Sequence, residues 1–98
     1  MVLMLIMAEV FKKSIYYDGN HRIVGKVSEL GAFGSYRVNL FVRYTGICIR
    51  QVFSAPNGDY AFNNIAYIPN GYYVIAFDHG ANPLNAAIAD LITPEPMP

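Results

Sequence analysis

Ser54-Ala55-Pro56-Asn57-Gly58-Asp59-Tyr60-Ala61-Phe62 reads as a turn that delivers the chain into an alternating aromatic strand. Pro56 presets a turn-compatible φ, and Gly58 supplies the positive φ that tight reversals require. Tyr60 and Phe62 stand two apart, which puts both rings on one face of a strand. The same grammar extends over residues 36–79 as strand, turn, strand, turn, strand.

Upstream of this hub, residues 36–43 form the cleanest strand. Tyr36, Val38, Leu40 and Val42 face one way, and Arg37, Asn39, Phe41 and Arg43 the other. Tyr44-Thr45-Gly46 turns it into residues 47–53, where Ile47, Ile49, Gln51 and Phe53 alternate with Cys48, Arg50 and Val52. A short Gly-containing loop makes these two strands antiparallel neighbours. Residues 21–28 also alternate, with Ile23, Gly25 and Val27 set against Arg22, Val24 and Lys26. Gly25 inside that strand marks a bulge or a close backbone approach. Residues 30–35 read as a loop with two glycines.

Downstream, residues 59–63 are a strand and residues 65–71 a connecting loop holding a second Pro-Asn-Gly turn. Residues 72–78 form a strongly aromatic strand. Residues 84–92 read as the last strand, although Ala86, Ala87 and Ala89 favour helix and Asn82-Pro83 would suit a helix start. The hairpin cadence decides for strand. Pro94, Pro96 and Pro98 then imply a tail that leaves the domain extended. Short strands with turns every 8 to 12 residues predict an all-β antiparallel sandwich or barrel. The expected organisation is an arm at 1–20, a sandwich at 21–93 and a Pro-rich tail at 94–98.

The arm is apolar (MVLMLIM over residues 1–7), with Val10, Phe11, Ile15 and Tyr16 following. No basic segment precedes that run and no small-x-small cleavage site follows, so it does not read as a signal peptide. It is also too short for a membrane span, which takes about 20 apolar residues. It is expected to pack, either as an edge strand on its own sandwich or on a neighbouring subunit.

Composition narrows the function classes. Seven basic and seven acidic residues leave no net charge, hence no electrostatic footprint for nucleic acid or an anionic membrane. Cys48 is the single cysteine, which excludes an internal disulfide and fits synthesis in a reducing compartment. Charged residues make up 14% and apolar residues 54% of a short chain, so apolar surface is expected to meet a partner.

Candidate chemistry is sparse. His79 lies near Asp78, Asn85 and Asp90 in sequence, but no metal-ligand spacing supports a cluster, and a polar turn at 78–80 is the plainer reading. Cys48 lacks an adjacent base and reads as a buried or interface thiol. The glycine-containing loops open onto strands, so no helix N-terminus is offered to phosphate. Arg37, Arg43 and Arg50, with Phe41 and Tyr44 nearby, could share a hairpin face that binds sugars or single strands, or could make a solvated face or interface salt bridges. No catalytic, cofactor-binding or metal-binding residue is assigned.

Ile23-Val24-Gly25-Lys26-Val27, Val38-Asn39-Leu40-Phe41, Asn57-Gly58-Asp59-Tyr60-Ala61-Phe62 and Gly71-Tyr72-Tyr73-Val74-Ile75-Ala76 together resemble the carboxypeptidase regulatory-like domain. That family is a transthyretin-like, seven-stranded sandwich with a Gly-x-Tyr-x-Phe core, matched here by Gly58, Tyr60 and Phe62. The ending, from Tyr73-Val74-Ile75-Ala76-Phe77-Asp78-His79 through Leu84-Asn85-Ala86-Ala87-Ile88-Ala89-Asp90 to Thr93-Pro94-Glu95-Pro96-Met97, resembles the ends of small tail or neck proteins of tailed bacteriophages. The resemblance implies a non-enzymatic virion subunit, a seven-stranded transthyretin/Ig-like β-sandwich with an apolar N-terminal arm. It would be made in the host cytoplasm and assemble with copies of itself and other virion proteins. The alternative is a carbohydrate- or receptor-binding module, gripping a glycan or host receptor through loops 30–35, 66–71 and 80–83, with Tyr67 and Tyr72 as contacts.

Overall fold

The computed structural model describes residues 19–29, 32–33, 35–77 and 86–98. These residues are all-β, with strands β1 (His21–Lys26), β2 (Ser28–Glu29), β3 (Ala32–Phe33), β4 (Arg37–Val42), β5 (Ile47–Phe53), β6 (Asp59–Ile65), β7 (Tyr72–Phe77), β8 (Ala86–Ile92) and β9 (Glu95–Pro96). Two antiparallel sheets result, one ordered β6-β1-β9 and the other β5-β4-β7-β8, beside a small β2-β3 ladder. Residues 1–18 of the expected arm at 1–20, and His79 with its neighbours at 78–85, lie outside the described residues.

Among the described residues the sheets face one another across one apolar cluster, a sandwich-like arrangement. Ile23, Phe62 and Ile65 from the three-stranded sheet meet Val38, Leu40, Val42, Ile49, Tyr72, Val74 and Ala76 from the other. Alternation along β4 puts Val38, Leu40 and Val42 inward, as read from the sequence. Each such side chain removed from water contributes about 1.5–3 kcal/mol, so this stripe is a principal source of stability.

The hub turn forms as its residues dictate. The Gly58 amide donates to the Ala55 carbonyl at 2.7 Å, and Gly58 has φ 91°. The Asn57 side-chain oxygen accepts the Asp59 amide at 3.1 Å. The second Pro-Asn-Gly sequence closes differently. Gly71 donates to the Ile68 carbonyl, but there Asn70 takes the positive φ, 53°, while its amide donates to Thr93 Oγ1 at 2.8 Å. Asparagine tolerates the left-handed region, so either of the two residues can absorb the reversal.

Gly25 answers to close approach. It sits opposite Tyr60, and a Cβ at Gly25 would overlap the Tyr60 ring. That ring and Phe62 meet edge to face, with centroids 5.9 Å apart. Burial also raises the Tyr60 phenol pKa.

Several expectations are corrected. In β5, Ile47, Ile49, Gln51 and Phe53 do not share an inward face: Ile49 is buried, while the other three are exposed. The reason is a bulge. Leu40 pairs with Arg50 and Phe41 with Cys48, leaving Ile49 as an extra residue that resets the alternation. The loop read at 30–35 is interrupted by the short strand β3, paired with β2. The last strand is confirmed as β8, since its pairing with β7 overrides the helix preference of its alanines.

The tail does not leave the domain. After buried Pro94 the chain crosses to the other sheet, where β9 pairs with the start of β1. Met97 N–H donates to the Asn20 carbonyl at 3.1 Å. Backbone groups alternate sides along a strand, so the Pro96 nitrogen faces away from β1, where no donor is needed. Arg22 Nε donates to Glu95 Oε1 at 2.8 Å across the same junction.

Candidate interaction surface

The outer face of the four-stranded sheet is built from the residues that alternate away from the core. Cross-strand registers place Phe53, Arg37, Phe77 and Ala86 in one row and Gln51, Asn39, Ile75 and Ile88 in the next. Cys48, Phe41 and Tyr73 make a third. Arg37 lies over the Phe77 ring at 4.3 Å, and Phe41 stacks parallel on Tyr73 with centroids 4.8 Å apart. At the two edges of this face Phe53 is 60% and Ile88 66% exposed. Asn39 Oδ1, between them, is buried without a hydrogen-bond partner.

One end of the face carries charge. Arg43 Nε donates to Asp90 Oδ1 at 3.0 Å, beside Tyr73, and the three line a shallow recess of about 330 Å³. The Arg43 hydrogen bond, with the Leu91 amide at 2.7 Å, holds the Asp90 carboxyl below its ordinary range. Asp90 and Leu91 form a bulge, since Tyr72 pairs with Ile92 and Val74 with Ala89. Leu91 there has φ 54° and is 54% exposed. A side chain in the left-handed region costs about 1–2 kcal/mol.

The two lateral edges differ. On the β5 and β6 side, Arg50 reaches between the sheets, with Nη1 donating to the Asn63 carbonyl at 3.0 Å and Nη2 to the Asn64 carbonyl at 3.3 Å. Those carbonyls belong to a β6 bulge in which Asn64 has φ 59°. On the other side, β8 pairs only with β7 among the described residues, and Ala86 through Leu91 are exposed. A cleft of about 210 Å³ opens between β8 and the end of β1, lined by Lys26, Val27, Tyr60, Val74, Ala87 and Ala89 among others.

The residues singled out in the sequence are thereby placed. Arg37 and Arg43 share the outer face, but Arg50 does not join them, because it is opposite inward-facing Leu40 and turns toward β6. Cys48 is exposed rather than buried, with its thiol donating to the Arg50 carbonyl at 3.4 Å. His21 packs against Tyr67 at 4.9 Å, a surface contact on the sheet end. Tyr67 is exposed, as a loop contact requires. Tyr72 is not: it is fully buried and donates its hydroxyl to the Ala66 carbonyl at 2.7 Å, which removes it from the proposed glycan contacts. Among the described residues no group of three His, Cys, Asp or Glu side chains could hold a metal, and no helix is long and apolar enough to cross a membrane. The Arg43–Asp90 pair was missed in the sequence, since 47 positions separate the partners.

Compared with known proteins, the chain matches no family model, no curated protein and no solved structure.

Proposed function

We propose that this chain is a non-enzymatic structural subunit that assembles with copies of itself and with other proteins of a tailed-bacteriophage virion, in its tail, neck or baseplate. The observation that carries assembly is the outer face of the four-stranded sheet, where Phe53 and Ile88 stand exposed beside the Phe41–Tyr73 and Arg37–Phe77 pairs. Burying such surface stabilises an association by roughly 25 cal/mol per Å² before its entropic costs. The virion setting rests on the resemblance of residues 22–77 and of the C-terminal ending. The same resemblance gives the finer fold, a seven-stranded transthyretin/Ig-like sandwich, and the three- and four-stranded antiparallel sheets of the described residues, which stand beside the β2-β3 ladder, support it.

Sedimentation velocity of the full chain across a wide concentration range tests the assembly. Self-association is expected, and a species that stays at 10.9 kDa throughout would sink it. Mass spectrometry of purified virions tests the setting.

A second reading, carbohydrate binding, is favoured by one observation: the recess of Arg43, Tyr73 and Asp90 sets an aromatic ring beside a carboxylate and a guanidinium, groups that suit sugar hydroxyls. Glycan-array binding lost on Tyr73→Ala would support it, and an array without binding would remove it.

A further inference from the structure

We infer that β8 is the edge through which two copies of this chain join, pairing antiparallel about a two-fold axis at Ile88. The inference rests on the assembly reading and gives it a surface and a register.

β8 is a seven-residue strand whose second side has no strand partner among the described residues. Such an edge is a row of unpaired backbone donors and acceptors, and proteins that keep an edge free guard it with Lys, Pro, a bulge or a cover. Ala86–Ile92 contains neither Lys nor Pro. Its bulge lies only at the Asp90–Leu91 end, so Ala86 to Ala89 stay regular in their pairing with β7. Asp90 is the strand's only ionisable residue, and it is engaged by Arg43. By contrast, Arg50 already occupies β6 carbonyls on the opposite side of the sandwich. β5, the other edge of this sheet, carries a bulge near its middle at Ile49 and the Arg50 contacts beside it, so among the described residues β8 is the less guarded of the two edges.

An occupant must be an extended strand, and the β8 sequence fits its own copy. With the axis at Ile88, Ile88 meets Ile88, Ala87 meets Ala89, and Ala86 meets Asp90. The apolar contact is central, small residues flank it, and no like charges are opposed. Moving the axis to Ala89 would set Asp90 against Ile88, and moving it to Asp90 would oppose two carboxylates. An axis at Ala87 would waste Ile88 on Ala86. Directly opposed residues share a face, so the two outer faces would run on as one eight-stranded surface, with the Ile88 pair at its middle. A chain without net charge offers no repulsion to prevent this.

The test uses the full chain, in sedimentation and in disulfide trapping on a Cys48→Ser background. Ile88→Lys is expected to weaken self-association at least about tenfold, because it sets two ammonium groups opposite one another. Ile88→Cys is expected to trap a covalent dimer under mild oxidation, whereas Ala86→Cys, whose mate is Asp90, is not. Ile88 is 66% exposed, so neither change disturbs the core, and circular dichroism checks the fold. If the parent chain associates but Ile88→Lys associates equally well and Ile88→Cys does not cross-link, the β8 pairing is wrong while assembly stands. Equal trapping at both cysteine positions would also overturn the register. A parent chain that stays monomeric removes both.

Discussion

The Tyr60 ring lies against the backbone of Gly25 on the neighbouring strand, closely enough that no side chain fits at position 25. A glycine that weakens a strand is here the condition for an aromatic side chain to pack against the core. Gly25→Ala should therefore destabilise the domain by about 1–3 kcal/mol, the usual cost of overpacking. Chemical denaturation measures it. The cost should shrink when Tyr60→Ala is already present, because the two residues share one space.

Arg50 joins the two sheets through the Asn63 and Asn64 carbonyls, on the side where β5 and β6 are both edges. Arg50→Ala should cost about 1–2 kcal/mol, because a charged donor is lost while the carbonyls, at the surface, regain water. Hydrogen exchange should show the loss concentrated in β6 amides rather than spread over β4 and β7.

Tyr72 combines complete burial with a 2.7 Å hydrogen bond from its hydroxyl to the Ala66 carbonyl. Tyr72→Phe keeps the ring and removes the donor, for an expected loss of about 1–2 kcal/mol in thermal or denaturant unfolding. Tyr67→Phe, on the exposed loop, should change stability by less than about 0.5 kcal/mol.

Asp90 gives the domain a pH dependence of known sign. Hydrogen bonds from Arg43 and from the Leu91 amide lower its folded pKa below the unfolded value. Its contribution is thus present above the unfolded carboxylate pKa of about 4 and is lost as pH falls through the folded value. Asp90→Asn should be less stable than the parent near neutrality, and the difference should fade in strong acid. A difference that persists unchanged at both ends would show that the carboxylate charge is not what stabilises the bulge.

Asn39 Oδ1 is buried without a partner in the middle of the outer sheet face. An unsatisfied buried acceptor costs about 1–3 kcal/mol, so Asn39→Val should stabilise the isolated chain. Thermal unfolding reads the sign directly.

Much of this architecture follows from local patterns. Alternation fixed β1, β4 and β7, and the two Pro-Asn-Gly sequences fixed where the chain reverses, because a period of two and a positive φ are properties of neighbouring residues. What local patterns could not fix are the bulges. The extra residue at Ile49 turns Phe53 outward, and the Asp90–Leu91 bulge places a leucine in the left-handed region. Both depend on how a strand registers against its neighbour. The return of Glu95–Pro96 to β1 is of the same kind, since a proline is excluded from a sheet only where its nitrogen faces a partner. The interaction surface belongs wholly to this second class. Phe41 and Tyr73, Arg43 and Asp90, Arg37 and Phe77 become neighbours only through strand order, which brings residues far apart in the chain to one face. The sequence by itself determined an all-β chain with an apolar alternating core and its turns. The tertiary structure decided which apolar side chains remain outside that core and which strands, β8 among them, stand at the sheet edges of the described residues.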